Sequence, residues 1–483
     1  MNRILCIVFF IATSTTLFAQ KKLPIAKAQE DFQIFENILK KGHPALYEYS
    51  SETILDSVLS VTKESFTEDI SDIELFKKMQ QITDQVRDGH LLLFAPNTQN
   101  TTQYYFPLIL KIIQAEFYTD TDDFGIPIGS KILRINEQSI AHILETLKKY
   151  SPTDGYNLTR KYRDIELKFG LFYMYEYGVH KEYKIDYLEP NGSEKTITLP
   201  AEPFVKAKHR NINRNSYFSK YHLQKDKVDF FSKHINTKEP FVYYKDDLKT
   251  AVLVANSFGV DIGAFKSRLV KLFKEINKKK VKHLVIDVRN NDGGYRPNSV
   301  HLFSFISSKL FRQRTSAFVV SLEVPERKHV TRTYGEKEFL KDKFYNHPQY
   351  DGWKLDFDDL ETMMVPNRNR FRGKVYVLAG GTTFSAGSAL ALLAKNDPDI
   401  LLVGEETGGG HYFHTGQFPV YYELPNSKII MVMSMERITH YVKDNTLPKG
   451  SGVIPDRTVQ LSVEDLIKGK DSQLDYIFRL IKG

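Results

Sequence analysis

Residues 374–394, with the sequence KVYVLAGGTTFSAGSALALLA, decide which fold this chain adopts. The apolar residues at the start predict a buried strand over Lys374–Ala379, and the small and apolar residues from Ala386 onward predict a helix. Gly380 and Gly381 lie at the junction between the two. A strand joined to a helix through glycines is typical of an α/β layer, in which ligands bind beyond the carboxyl ends of the strands.

The same alternation of strand and helix extends over the chain from about Lys249. Further short apolar strands are predicted at Thr250–Ala255, His283–Val288 and Ile400–Val403. Helices are predicted between the strands, at Gly263–Ile276 and Ser299–Ser307. We therefore expect a mixed α/β fold. The segment from Arg312 to Arg372 is polar and aromatic, and we expect it to be an insertion with little regular structure.

Two further regions precede this domain, which would occupy residues 206–483. Residues 20–100 are predicted to be helical, because apolar side chains such as Phe32 and Phe35 recur at helical spacing before His43 and Pro44 end the first helix. Residues 101–205 carry strand signals, including a hairpin turn at Pro190-Asn191-Gly192. Together they indicate a multidomain chain with a helical region and a small β-rich module.

Composition and charge fit a globular protein. Hydrophobic residues make up 41% of the 483 residues and charged residues 26%, which is ordinary for a chain with packed cores. Lysine and arginine (67) exceed aspartate and glutamate (59) by only 8, and no dense basic block occurs. We therefore expect no nucleic-acid binding. We also expect no stable membrane insertion, because no segment after the first 19 residues is long and apolar enough to span a bilayer.

The first 19 residues resemble a secretory signal peptide. Arg3 is followed by the apolar run Ile4–Ala12, and Ala19 is a small residue at the predicted cleavage site. An uncleaved anchor is the alternative. Cleavage after Ala19 would remove Cys6, the single cysteine of the chain, so the mature protein would have no thiol nucleophile, disulfide or thiolate metal site. We expect a periplasmic or secreted protein.

Three junctions after predicted strands concentrate glycine and polar residues. They are residues 289–294 (RNNDGG), 380–388 (GGTTFSAGS) and 404–411 (GEETGGGH). Paired glycines in the first junction would let backbone N–H groups converge on an oxyanion, although the junction taken alone favours a tight turn from strand to helix. The third junction could be the wall of a peptide groove or simply a loop. None of the three has a nucleotide-phosphate motif.

Ser385 in the second junction is the strongest candidate nucleophile. It directly precedes the predicted helix that begins at Ala386, where the helix dipole and the free N–H groups would stabilise an alkoxide and a developing oxyanion. The alternative interpretation is a plain helix N-cap, because serine is among the best capping residues.

Five motifs in series make the chain similar to the tail-specific, or C-terminal processing, serine peptidase family. They are Arg87-Asp88-Gly89-His90, residues 286–294 (IDVRNNDGG), residues 383–386 (TFSA), residues 404–407 (GEET) and residues 452–456 (GVIPD). Residues 128–136 (IGSKILRIN) resemble the PDZ-like module that often precedes the catalytic core in that family. The resemblance implies a core of the ββα-superhelix type, which crotonase-like enzymes share.

The resemblance also implies a set of site residues. Ser385 matches the family nucleophile, the backbone N–H of Ala386 would form one arm of the oxyanion hole, and Gly293 or Gly294 would form the other. The lysine that activates the serine in the Ser–Lys members falls at Gly410 here, so no lysine base is available. The tricorn-like branch uses a histidine instead, and His90 matches it. A neutral imidazole is a competent general base near pH 7.

The residue that orients the base is left open by the sequence. The tricorn-like branch uses a glutamate near the motif matched by residues 452–456, but the local residues here, 447–451 (LPKGS), include no acid. The alternatives are a hydrogen bond from Ser451 or an approach of Asp88, Glu405 or Glu436. His411, which directly follows Gly410, is a second candidate base. His411 and His414 do not have the spacing of a zinc site, so we expect neither a metal nor another cofactor.

The resemblance therefore predicts an exported serine peptidase that hydrolyses protein or peptide substrates. Because the family lysine is missing and the orienting acid is unassigned, the alternative is a catalytically silent homologue that binds peptide tails or another extended ligand. A crotonase-like acyl-CoA enzyme is a third interpretation, but it gives Ser385 no role.

Overall fold

The computed structural model describes residues 22–96, 104–220, 237–333, 339–346, 352–355 and 362–483. The predicted signal peptide, residues 1–19, lies outside these residues. Within the described part of the chain, no helix combines the length and the apolar character needed to cross a membrane.

The N-terminal region is helical, as the spacing of its apolar residues predicts. Its elements are β1 (Lys22–Leu23), α1 (Ile25–Gly42), α2 (Glu52–Glu64), β2 (Ile70–Ser71), α3 (Asp72–Val86) and β3 (Leu92–Phe94). Phe32 and Phe35 on α1 are fully buried. Helix α3 begins after Ser71, whose hydroxyl accepts a hydrogen bond from the Glu74 amide, and ends at Arg87 in the left-handed conformation (φ 57°). This turn directs the chain into Asp88, Gly89 and His90.

The second region is an antiparallel sheet with two helices. Its elements are β4 (Tyr104–Tyr105), β5 (Leu110–Ile113), β6 (Glu116–Thr119), β7 (Lys131–Ile135), β8 (Gln138–Ser139), α4 (Ile140–Leu147), α5 (Thr159–Tyr177), β9 (Glu182–Leu188) and β10 (Glu194–Pro200). The order of the main sheet is β10-β9-β7-β6-β5. The hairpin predicted at Pro190-Asn191-Gly192 is confirmed by β9 and β10. The PDZ-like character of the module stays a prediction.

Helix α5 was not predicted from the sequence. Lys161, Asp164 and Glu166 are all buried on it, so charged residues interrupt the apolar periodicity that would have identified a helix. Glu166 accepts a hydrogen bond from the Ile112 amide and forms an ion pair with Lys111, so these charges attach α5 to β5.

The remaining elements begin with a short strand that pairs with β4 of the second region, and the others follow in the third region. They are β11 (Glu202–Pro203), α6 (Phe204–Asn211), α7 (Asn215–Lys220), β12 (Phe241–Lys245), β13 (Thr250–Val254), α8 (Ile262–Lys278), β14 (His283–Asp287), α9 (Arg296–Ser304), β15 (Arg314–Val319), β16 (Val330–Thr333), α10 (Phe339–Lys343), β17 (Phe344–Asn346), β18 (Trp353–Leu355), β19 (Lys374–Ala379), α11 (Ala386–Asn396), β20 (Ile400–Gly404), β21 (Phe413–Glu423), β22 (Ile430–His440), β23 (Arg457–Thr458), α12 (Val463–Lys468) and α13 (Ser472–Lys482). The strand and helix alternation predicted from Lys249 onward is confirmed.

The predicted strands of this region lie side by side in one sheet of order β12-β13-β14-β19-β20-β23. From β13 onward neighbouring strands are parallel, with Asp287 of β14 beside Leu378 of β19, and Ala379 of β19 beside Gly404 of β20. Because the carboxyl ends of parallel strands meet at one edge, the three glycine-rich junctions lie together there. This edge is where the candidate site forms.

One prediction about a second large sheet was wrong. Its order is β16-β21-β22-β15-β18-β17, and β3 also pairs with β22. Residues 314–319, expected to lie in an insertion with little regular structure, form β15 at the centre of this sheet, where Ala317 and Val319 are fully buried. Arg314 and Ser316 are buried as well, so the segment lacks the polar and apolar alternation that would have predicted a strand.

Candidate active site

Ser385 occupies a strained turn between β19 and α11. Its backbone has φ 50° and ψ −122°, a region that residues other than glycine rarely adopt. Its side chain makes no capping hydrogen bond to α11, so the interpretation as a plain N-cap is wrong. The turn is held by Thr383, whose hydroxyl donates to the Val288 carbonyl (2.8 Å), and by the Phe384 amide, which donates to the Asn291 carbonyl (3.0 Å). Strain of this kind exposes a nucleophilic hydroxyl above a sheet.

The imidazole of His90 lies beside this hydroxyl. His90 Nε2 is 3.1 Å from Ser385 Oγ, although 295 positions separate the two residues in the sequence. The His90 ring also packs on the Phe384 ring, with centroids 4.6 Å apart. Gly89 makes this approach possible, because a Cβ at that position would lie 2.5 Å from the Phe384 ring. The two residues that the sequence selected are therefore in hydrogen-bonding contact.

Asp88 is the predicted orienting group that the structure places next to His90. Its Oδ1 accepts a hydrogen bond from the His90 amide (2.8 Å) and lies 4.0 Å from His90 Nδ1. Thr415 donates its hydroxyl to Asp88 at 2.7 Å, and His43 Nε2 lies 2.8 Å from Asp88 Oδ2. Within the described residues, His90 Nδ1 itself has no hydrogen-bond partner. Asp88 thus acts on the ring through its charge.

The surroundings of His90 favour the neutral imidazole. Burial lowers the pKa of His90 to about 4; the Asp88 charge opposes this shift, while Arg160 and Arg296 add to it. Burial would raise the pKa of Asp88, but the hydrogen bond from His43, with the neighbouring His90, outweighs burial and holds this pKa below its usual value. A neutral imidazole beside an ionised carboxylate is the form needed to accept a proton from a serine.

Asp154 is a buried acid in the site that the sequence analysis missed. Its two oxygens accept hydrogen bonds from the Gly89 amide (2.8 Å) and the Gly410 amide (3.0 Å). Burial, with the nearby charge of Asp88, raises the pKa of Asp154 to about 7. The residue precedes Gly155 in a sequence that predicts only a turn, and nothing in that pattern indicates its two distant partners.

Two of the predicted oxyanion donors lie beside Ser385, namely Ala386, which follows it in the chain, and Gly293. Gly293 packs against it, since a Cβ at Gly293 (φ +108°) would lie 2.7 Å from Ser385 Cβ and 3.2 Å from the Ala386 nitrogen. The Gly293 amide donates to Asn291 Oδ1 at 2.9 Å. Among the described residues, the amides of Gly294 and Ala386 have no hydrogen-bond acceptor. The contact between Gly293 and Ser385 therefore supports Gly293 as the second arm of the oxyanion hole. The unused amide of Gly294 supports Gly294 instead.

The other residues predicted to orient or replace His90 have different partners. Ser451 donates its hydroxyl to the Pro448 carbonyl, and Glu405 lies 3.8 Å from Arg163. Glu436 is bound by Arg314, and His411 Nε2 contacts the Asp444 carbonyl at 3.2 Å. None of these bonds reaches His90 or Ser385. Among the predicted alternatives, the structure therefore favours Asp88.

Two further buried histidines, His414 and His440, form a pair next to His90. The rings of His90 and His414 stack with centroids 5.5 Å apart, and His414 Nδ1 is 2.8 Å from His440 Nε2. His414 Nε2 also lies 3.3 Å from a guanidinium nitrogen of Arg296. Burial lowers the pKa of both histidines, that of His440 to about 3. His414 lies in β21, whereas His411 precedes the strand by two positions.

Asp88, His90 and Asp154 place three possible metal-ligand atoms within 4.8 Å of one another. However, the oxygens of both carboxylates already accept hydrogen bonds from backbone amides, Thr415 or His43. The ring of His90 faces Ser385 through Nε2. This arrangement is that of a hydrogen-bond network around a base, and we assign no metal to it.

Comparisons with known proteins find one matching family model and solved structures of similar fold. Residues 249–459, which include Ser385 and the glycine-rich junctions but not His90, match the model of peptidase family S41. The crystal structure of mature CPAF is similar over 95% of this chain and 97% of that chain, with a TM-score of 0.63 and 13% identity. The structure of mature CPAF complexed with lactacystin is similar over 95% of this chain and 98% of that chain, with a TM-score of 0.63 and 14% identity. These likenesses show a shared fold. No curated protein sequence matches the chain.

Proposed function

We propose that this chain, whose residues 249–459 match the model of peptidase family S41, is an exported serine-type peptidase in which Ser385 is the nucleophile and His90 the general base. The observation that carries this proposal is the 3.1 Å contact between His90 Nε2 and Ser385 Oγ. The substrates would be proteins or peptides. Export rests on the resemblance of residues 1–19 to a signal peptide.

The first step is attack on a peptide carbonyl. His90 accepts the Ser385 hydroxyl proton through Nε2 while Ser385 Oγ forms a bond to the carbonyl carbon. The neutral ring then carries its own proton on Nδ1, which faces Asp88 at 4.0 Å. The negative charge of Asp88 stabilises the imidazolium that forms, and a movement of about 1 Å would convert this contact into a hydrogen bond.

The tetrahedral intermediate places a negative charge on the former carbonyl oxygen. The Ala386 amide at the start of α11, together with the amide of Gly293 or Gly294, would donate hydrogen bonds to it. The His90 imidazolium then gives its proton to the leaving amine. This step releases the fragment C-terminal to the cleaved bond and leaves the N-terminal fragment as an acyl ester on Ser385. Water, activated by the same imidazole, hydrolyses the ester and restores the hydroxyl.

A catalytically silent peptide-binding protein is the second candidate function. The observation that favours it is His90 Nδ1, which has no hydrogen-bond partner in the described part of the chain. Loss of an orienting bond slows a serine hydrolase strongly without removing its ability to bind peptides. Binding therefore does not distinguish the two functions, and turnover does.

The test is cleavage of an unfolded protein with a free C-terminus by wild type, Ser385→Ala and His90→Ala. We expect cleavage by wild type and a loss of roughly a hundredfold or more in each variant, because each removes one partner of the proton transfer. Equal background in all three proteins, with retained peptide binding, would establish the silent binding protein instead.

A further inference from the structure

His43 is a buried histidine whose side chain faces the catalytic centre from the N-terminal region. It lies directly after α1, and its side chain has no exposed surface. The Ala45 amide lies 3.2 Å from His43 Nδ1, so this nitrogen accepts a hydrogen bond. The ring proton is then on Nε2, which donates to Asp88 Oδ2 at 2.8 Å. The orientation of the ring and the position of its proton are therefore both set by its contacts.

Asp88 joins His43 to His90. Its Oδ2 accepts the His43 proton, while its Oδ1 accepts the His90 amide (2.8 Å) and faces His90 Nδ1 (4.0 Å). Thr415 on β21 is a second donor to the same carboxylate, at 2.7 Å from each oxygen. A buried carboxylate needs such donors to stay ionised and to stay in one orientation. The contacts thus form a continuous series from His43 through Asp88 and His90 to Ser385.

We propose that His43 is a positioning residue of the catalytic centre, which holds Asp88 as an oriented carboxylate beside His90. The inference deepens the proposed peptidase function and rests on it. It gives the N-terminal region a direct part in the reaction, because His43, the residue directly after α1, donates the hydrogen bond to Asp88. The sequence indicated only that His43 and Pro44 end the first helix.

A purely structural role for the His43 side chain is less consistent with its contacts. The end of α1 is closed by the backbone, since the His43 amide donates to the Leu39 carbonyl at 3.0 Å. The side-chain donor is directed instead to the carboxylate nearest to His90 Nδ1. A hydrogen bond to a charged acceptor is worth roughly ten- to a hundredfold in an equilibrium constant. The magnitude is large enough to influence the protonation of a neighbouring base.

His90 is surrounded by several titratable and charged groups. Asp88 and Asp154 are the acids on its side, Arg160 and Arg296 are the cations, and His414 stacks on its ring. Loss of the His43 donor would favour protonation of Asp88 and so remove the negative charge that helps His90 to accept a proton. The other groups would remain in place. His90 should therefore titrate at a lower pH when His43 is replaced.

Two substitutions at His43 test the proposal. His43→Phe keeps a ring but removes the donor, and we expect kcat to fall roughly ten- to a hundredfold while KM changes only a few-fold. His43→Gln retains an N–H donor at a similar reach and should recover most of the activity. His301→Phe is the matched control, since His301 on α9 packs edge-on against Phe305, with centroids 5.3 Å apart, and should leave kcat unchanged.

The decisive readout is the titration of His90 itself, followed by NMR on histidine-labelled protein and assigned with His90→Gln. The pH midpoint of His90 should fall in His43→Phe and stay near the wild-type value in His43→Gln. Thr415→Val removes the other side-chain donor to Asp88 and should also lower the pH midpoint of His90. This variant replaces His43→Phe in the test if His43→Phe does not fold. An unchanged or higher midpoint in these variants would overturn the proposal. Because this titration needs no turnover, a wild type without peptidase activity would refute the proposed function separately.

Discussion

The pH dependence of cleavage follows from the burial of His90. An unperturbed histidine has a pKa of about 6.5, whereas burial lowers that of His90 to about 4. Protonation removes the lone pair that accepts the Ser385 proton, so activity is lost as the pH falls through the pKa of the free enzyme's base. We therefore predict that kcat/KM stays on its plateau down to about pH 5 and falls with a midpoint near pH 4.

The difference from an ordinary histidine is large enough to measure. At pH 5.5 a base with a pKa of about 4 is ~97% neutral, whereas one with a pKa of 6.5 is only ~9% neutral. The lowering of the pKa from 6.5 to about 4 corresponds to ~3 kcal/mol of additional free energy for protonating the His90 ring. A solvent-exposed base would therefore lose about nine-tenths of its activity at a pH where this enzyme should lose almost none.

The assay is the initial rate of cleavage of a fluorogenic peptide at low substrate concentration between pH 3 and pH 8. Arg160→Gln is the matched variant, because the positive charge of Arg160 contributes to the low pKa of His90. Removing this charge should shift the low-pH side of the kcat/KM profile to higher pH, by a few tenths to about one pH unit. A limb near pH 6.5 in wild type, or a limb that Arg160→Gln moves downward, would refute the assignment of His90 as a buried base.

Three further substitutions test other parts of the site. Gly293→Ala should abolish turnover and lower the free energy of unfolding, because the backbone has φ +108° and the methyl group would lie 2.7 Å from Ser385 Cβ; wild-type turnover would contradict the packing. Ser385→Gly should be more stable than Ser385→Ala by about 1 kcal/mol in urea unfolding, because glycine tolerates the backbone at φ 50°; equal stability would argue against strain. Asp154→Ala should lower the free energy of unfolding by roughly 1–3 kcal/mol for each amide, of Gly89 and of Gly410, that loses its acceptor; no change would show that solvent replaces the carboxylate.

The parallel part of the sheet was predictable because β13, β14, β19 and β20 are short and apolar, and a glycine-rich junction follows each of the last three. Lys374–Ala379 and the helix from Ala386 have the bounds that the sequence predicts at their shared junction. Strand β15 and helix α5 were not predictable in the same way. Buried charges such as Arg314 and Glu166, which are paired with distant residues, disrupt the periodicity on which such predictions depend.

The candidate site was predictable for the groups that would perform chemistry and not for those that support them. Ser385 and His90 belong to motifs with a recognisable order, and the structure places them in contact. Asp154 and His43 lie in turns, and Thr415 lies in an unpredicted strand. Their roles depend on contacts across 45 to 327 positions of chain, which local sequence does not specify.

Covalent labelling by a fluorophosphonate tests the central claim most directly. The account predicts one adduct per molecule, located on the peptide that contains Ser385, absent in Ser385→Ala and formed roughly a hundredfold or more slowly in His90→Ala. No adduct on wild type at pH 7, or an equally rapid adduct in His90→Ala, would contradict the pairing of this hydroxyl with this imidazole as nucleophile and base.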